Sequence, residues 1–251
     1  MNVWVLFPAL ALVSGLISSA YLLVSWYRDK ERPRFLLLWA AGLFLMYWFQ
    51  IPVILTNSGR AVTVTSFNLF FALTLPIVWI AIFCLFMGSI AVLGHRLKGR
   101  QKVAICAWFL AAVIFFAYHF ITRKGVISTY SLPIVGNLIF YLPLYILIIA
   151  TFLKKMVRFS FDTTWRFFLG AACVMSASIL GIVRNFIVIK NILEYPPEFW
   201  YVVLTGQKIF FMLQTTSIIL LVAGFTLLHR WYYKLHLIKT IPETQSYDSH
   251  S

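Results

Sequence analysis

Acidic residues are scarce in this chain: seven Asp and Glu stand against twenty-one Lys and Arg, and none of the seven falls inside a long apolar stretch. That shortage removes from membrane depth the paired carboxylates of acid–base catalysis and the acid clusters of metal sites, so no catalytic or metal constellation can be assembled. Charge of either sign is thin, at 11% of residues, while 62% are hydrophobic. Soluble domains run at roughly 45–50% apolar and about 25% charged. A water-soluble fold cannot hide so much apolar surface. Cysteine is also sparse. Cys84, Cys106 and Cys173 all lie in apolar stretches, which excludes a secreted disulfide scaffold and marks them as small buried hydrophobes. There is no Asn-x-Ser/Thr sequon, which is compatible with a prokaryotic source.

What remains is a succession of apolar runs long enough to cross a hydrocarbon core of about 30 Å. Seven helices are expected, near residues 3–26, 35–55, 67–94, 103–121, 134–153, 167–189 and 199–228. The first has no cationic lead-in and is longer than a signal-peptide core, so it is expected to stay as a helix despite the small residues Ser18-Ser19-Ala20. The fold expected is all-α: a polytopic integral membrane protein formed by one seven-transmembrane-helix bundle over residues 1–230, with a short cytoplasmic tail at 231–251.

The formal charge of +14 is divided among the connecting segments and is not gathered on one soluble surface, which argues against nucleic acid as a partner. Loops one, three and five and the tail carry fifteen cations, while loops two, four and six carry four. The positive-inside rule then places the N-terminus outside and the C-terminus in the cytoplasm, in a multi-pass protein of the cell or plasma membrane. Trp4, Trp26, Trp165, Trp200, Trp231, Tyr232 and Tyr233 fall near the expected helix ends, as an interfacial aromatic belt would. Pro52, Pro76 and Pro143 lie within helices two, three and five, where each removes a backbone donor and should kink its helix.

With that topology, each polar residue within a helix acquires a depth, because a helix rises about 1.5 Å per residue. Gln50, Asn68, His119, Asn137, Arg184, Asn185, Gln207 and Lys208 all fall in the outer half. A charge at that depth costs several kcal/mol unless it is paired or wet, so Arg184 and Lys208 should face the bundle interior or a cavity. On helix six, Gly170, Ala177, Gly181 and Arg184 form a small-residue stripe suited to close helix contact. On helix seven, Gln207, Lys208, Phe211, Gln214 and Thr215 share one face. The candidate ligand-binding residues are Arg184, Lys208, Asn185, Gln207, His119 and Asn137, around an outward-facing cationic pocket for a small polar or anionic ligand. In the bland alternative, Glu194 and Glu198 fold back onto the two cations, or Arg184 snorkels to the headgroups.

The function expected is that of a heptahelical receptor or sensor, non-catalytic, set in the lipid bilayer and signalling through separate protein partners at its basic cytoplasmic loops or within the membrane. The alternatives are an accessory or structural subunit of a larger membrane complex, and a small-solute transporter. The architecture is similar to that of G-protein-coupled receptors in topology alone. Gly94-His95-Arg96 stands where that family has an acidic-Arg-aromatic motif, and helix seven has no Asn-Pro-x-x-Tyr. Lys208 resembles the Schiff-base lysine of microbial rhodopsins, a resemblance that implies retinal. However, Leu204 occupies the position of that family's helix-seven acid, and helix three offers no counterion carboxylate, so no cofactor is expected. Seven-helix sugar transporters carry paired prolines in corresponding helices; Pro52 and Pro143 do not match in that way.

Overall fold

A computed structural model of the chain describes residues 3–48, 50–58, 64–95, 97–123, 134–157, 161–195 and 208–240. Among them every regular element is helical: α1 (Val3–Arg28), α2 (Arg34–Met46), α3 (Gln50–Asn57), α4 (Val64–Val92), α5 (Gly99–Arg123), α6 (Leu142–Met156) with a π-helical segment ahead of it (Gly136–Tyr141), α7 (Phe161–Glu194) and α8 (Lys208–Thr240). Six helical spans, in α1, α4, α5, α6 with its π segment, α7 and α8, are long and apolar enough to cross a bilayer. They make this a multi-pass membrane protein. The remaining apolar helix, α2, is only 13 residues long.

The second expected helix is therefore broken in two. Tyr47 ends α2 with φ −112° and ψ 3°, and the turn is closed by short-range bonds from Gln50 N to the Tyr47 carbonyl at 3.0 Å and from Ile51 N to the Trp48 carbonyl at 3.2 Å. The cause is Pro52, which has no amide hydrogen to give to Trp48 four residues back; the Ile51 amide takes that carbonyl instead. Pro143 acts similarly on the fifth helix. Just before it, the Leu142 amide reaches the Asn137 carbonyl five residues back, and the helix widens into the π segment. Two other boundaries differ from expectation. α7 extends to Phe161 and Glu194, which brings Asp162 and Glu194 inside its ends. α8 continues to Thr240, so the expected tail begins as helix, and residues 241–251 lie outside the described region.

Packing closes a ring. α1 rests on α2, α3 and α8; α2 on α4; α4 on α6; α6 on α7; and α7 on α8, the most extensively packed pair. That seam is close because both sides are glycine. A β-carbon on Gly170 would stand 3.1 Å from the Gly224 carbonyl oxygen, and one on Gly224 would stand 2.9 Å from the Gly170 carbonyl oxygen. Ser217 Oγ donates across the same seam to the Ala177 carbonyl at 3.1 Å. Aromatic stacking completes the interior: Trp39 lies on Phe225 at 4.2 Å, and Trp231 packs on Phe167 at 4.8 Å. Trp231 is thus buried in the α7–α8 seam and does not sit in an exposed belt.

α5 stands apart from the ring. Only 11% of its most apolar stretch is buried, and its ring contacts run from Phe109 to Trp79 and Phe83 of α4 and from Phe115 and Phe116 to Phe140 of the π segment. Exposed Leu110, Ile114 and Ile121 fit a lipid-facing surface.

Candidate functional site

Pro52, Pro76 and Pro143 lie close in sequence to the walls of one cavity. It has a volume of about 80 Å³ and is lined by Met46 of α2, Thr74 and Leu75 of α4, Asn137 and Tyr141 of the π segment, Arg184 and Asn185 of α7, and Phe210 and Gln214 of α8. Met46 precedes the Pro52 break, Thr74 and Leu75 precede Pro76, and Asn137 and Tyr141 precede Pro143. A proline that disrupts its helix prevents the neighbouring helices from closing fully. Here two disturbed turns, the break after Met46 and the π segment at Asn137 and Tyr141, border one shared gap.

The chemical centre is Arg184. Its residue is 8% exposed, and its guanidinium carbon sits 5.4 Å from the centre of the Phe210 ring. The guanidinium is within hydrogen-bonding reach of the Tyr145 hydroxyl and close enough to Tyr47 and Tyr141 to act on them electrostatically. Tyr141 donates its own hydroxyl to the Leu75 carbonyl, which ties the π segment to α4. Glycine makes room for two of these tyrosines: the Tyr47 ring packs where Gly15 lacks a side chain, and the Tyr145 ring packs where Gly181 does.

No carboxylate among the described residues lines the cavity or pairs with this cation. Among the described residues, the acid expected to fold back, Glu194, is an exposed partner of Lys190 at 3.5 Å. Glu198 lies outside the described residues. The neutral polar groups around the cation are also underused. Arg184 Nε, Asn185 Nδ2, Gln214 Oε1 and the Tyr47 hydroxyl are buried with no hydrogen-bonding partner among the described residues. Across the break from Tyr47, Gln50 is completely buried with neither amide atom partnered among the described residues. Buried polar groups are normally satisfied, and each one left unmet costs about 1–3 kcal/mol. Beside the arginine, these atoms leave hydrogen-bonding capacity that the described residues do not use. A water occupies roughly 30 Å³ of liquid, so the cavity has room for about two or three waters or one small anionic group.

Of the six residues expected at the site, Arg184, Asn185 and Asn137 meet in this cavity. Lys208 is exposed at the described start of α8 and does not line the cavity. His119 lies on α5, away from the cavity lining; its Nδ1 is 3.0 Å from the Phe115 carbonyl and its ring is 4.4 Å from the Phe115 ring. Gln207 and the expected start of helix seven, 199–207, lie outside the described residues, and nothing is described of the Asn68 side chain. Sequence reasoning left out Thr74, Tyr141, Tyr145 and Tyr47.

The chain matches no protein-family model, and no curated protein or solved structure is detectably similar to it.

Proposed function

We propose that this is a seven-span membrane receptor or sensor, N-terminus outside, whose ligand presents a small anionic group to Arg184 within the outer half of the bundle. The observation that carries this reading is a deeply buried arginine, with no acid beside it among the described residues, facing the unpartnered Asn185 and Gln214 amide atoms across a cavity. In a low-dielectric interior such a cation is costly, and an anion that accepts from its planar fork relieves the cost directly. The cavity's volume selects a carboxylate-sized group, with Asn185, Gln214 and Asn137 to orient it.

The seventh span in this reading is the broken pair α2 and α3. Both pack on α1, so the break need not carry the chain out of the bundle. The cation asymmetry of the loops supports the orientation. Roughly 15 Å of helix separates Arg184 from Glu194, which puts the site well inside the outer end of α7. A signal would pass as a change in the packing of α2, α6 and α7, each of which contributes to the disturbed turns or to Arg184, towards a separate partner on the basic cytoplasmic face.

The test is thermal unfolding of the full chain in detergent against a panel of sodium salts: bromide, nitrate, formate and acetate. A ligand that binds only the folded state raises the melting temperature with its concentration. The proposal expects saturable stabilisation by at least one of these anions, absent in Arg184→Met. Equal responses in both proteins, or none in either, would overturn it.

A further inference from the structure

At the end of the bundle where α4 finishes, a second and larger space opens. Gly94 takes φ +62°, and the His95 amide returns to the Ile90 carbonyl at 3.2 Å, a glycine-terminated helix end. The adjacent Leu93 carbonyl accepts from Lys155 Nζ of α6 at 3.3 Å. The chain then swings out to α5, whose ring contacts to Trp79 come through Phe109 and Phe116, further along the helix. Near their loop-side ends α4, α5 and α6 therefore enclose a groove of about 580 Å³.

The groove is two-faced along its length. Phe86, Ile90, Ile105 and Leu147 line its apolar part, while Gln101, Lys154 and Lys155 line its polar part. Lys98, Arg100 and Lys102 are exposed at the adjacent start of α5. No Asp or Glu occurs anywhere between Glu31 and Asp162, so the three helices that line the groove carry no acid of their own. A cationic cluster needed only for topology requires no groove, and a packing defect between lipid-facing helices requires no cations. Here the two coincide at the level where a helix leaves the hydrocarbon.

We propose that the groove is a binding site for an anionic phospholipid, with the phosphodiester held at Lys154 and Lys155 and an acyl chain laid along the apolar wall between α5 and α6. The polarity gradient matches such an amphiphile end to end, and a zwitterionic lipid gains less because its own ammonium opposes the lysines. Basic pockets between transmembrane helices recognise lipid headgroups in this way. The lipid fills the space that keeps α5 from the ring and ties that helix to the bundle. This site is independent of Arg184.

The experiment is thermal unfolding and native mass spectrometry of the full chain titrated with phosphatidylglycerol, with phosphatidylcholine as the neutral comparison. Phosphatidylglycerol should stabilise the protein and persist as bound mass, at concentrations where phosphatidylcholine does neither. Lys154→Gln should weaken the response about fivefold, the share of one cation near a membrane surface. Ala150→Phe, which narrows the groove without altering charge, should weaken it as well. Lys30→Gln, a loop cation away from the groove, should leave it unchanged. Equal binding of the two lipids, or full responses in both Lys154→Gln and Ala150→Phe, would overturn the proposal. Displacement of the lipid by millimolar inorganic phosphate alone would also overturn it, because it would remove the role of the acyl chain.

Discussion

The ring of Tyr145 packs on α7 directly over Gly181: a β-carbon at that glycine would stand 2.6 Å from two of its ring carbons. Tyr145 is the hydroxyl within reach of Arg184, so the glycine fixes the position of the arginine's neutral partner. Gly181→Ala forces the ring away. It is expected to cost about 1–3 kcal/mol, seen as a lower melting temperature, and to weaken anion binding at Arg184. Unchanged stability and unchanged anion response would mean that the ring is not held there.

Arg184→Met should behave unlike an ordinary buried substitution. Removing a buried cation that has no acid partner among the described residues relieves desolvation, and apolar replacements of buried charges are often neutral or stabilising. The anion-free melting temperature should therefore hold or rise while the anion response is lost. Arg184→Lys keeps the charge without the planar fork and should retain a response about tenfold weaker. A large loss of stability in Arg184→Met would show that the arginine serves packing.

Pro143→Ala restores an amide that can serve the Ile139 carbonyl, which favours a regular helix in place of the π segment. Closing the extra residue of that turn would rotate Asn137 by roughly 100° about the helix axis relative to α6. Amide hydrogen exchange across 136–141 should slow, and anion affinity should fall although the protein is no less stable. Faster exchange there would contradict the assigned cause of the π segment.

The proposed orientation can be read in intact cells with a membrane-impermeant maleimide. In a background with Cys84, Cys106 and Cys173 replaced, cysteine at Ser58 should be labelled from outside, whereas cysteine at Lys30 or Lys98 should react only after permeabilisation. The reverse pattern would invert the bundle and place the Arg184 cavity towards the cytoplasm.

Much of the fold follows from the apolar runs, because a run of about 20 apolar residues in a bilayer has little choice but to be a helix. Pro52 and Pro143 were visible as disturbances, but their form was not. A proline states that one hydrogen bond is missing, while the neighbouring packing decides between a break at Tyr47 and a π turn at Asn137. Arg184, Asn185 and Asn137 stood out because each is polar at membrane depth. Tyr47, Tyr141 and Tyr145 did not, because a tyrosine reads as apolar along the chain and its hydroxyl matters only once its neighbours are known. Lys208 and His119 have comparable polarity but point elsewhere, since which helix faces which is a property of the ring and not of any one helix.

The most direct test of the central claim is anomalous scattering from crystals of the full chain grown in sodium bromide. The account predicts a bromide peak inside the cavity, within about 3.5 Å of the Arg184 guanidinium and close to Asn185 or Gln214. Bromide peaks confined to the exposed lysines, with ordered water alone beside Arg184, would contradict an anion site there.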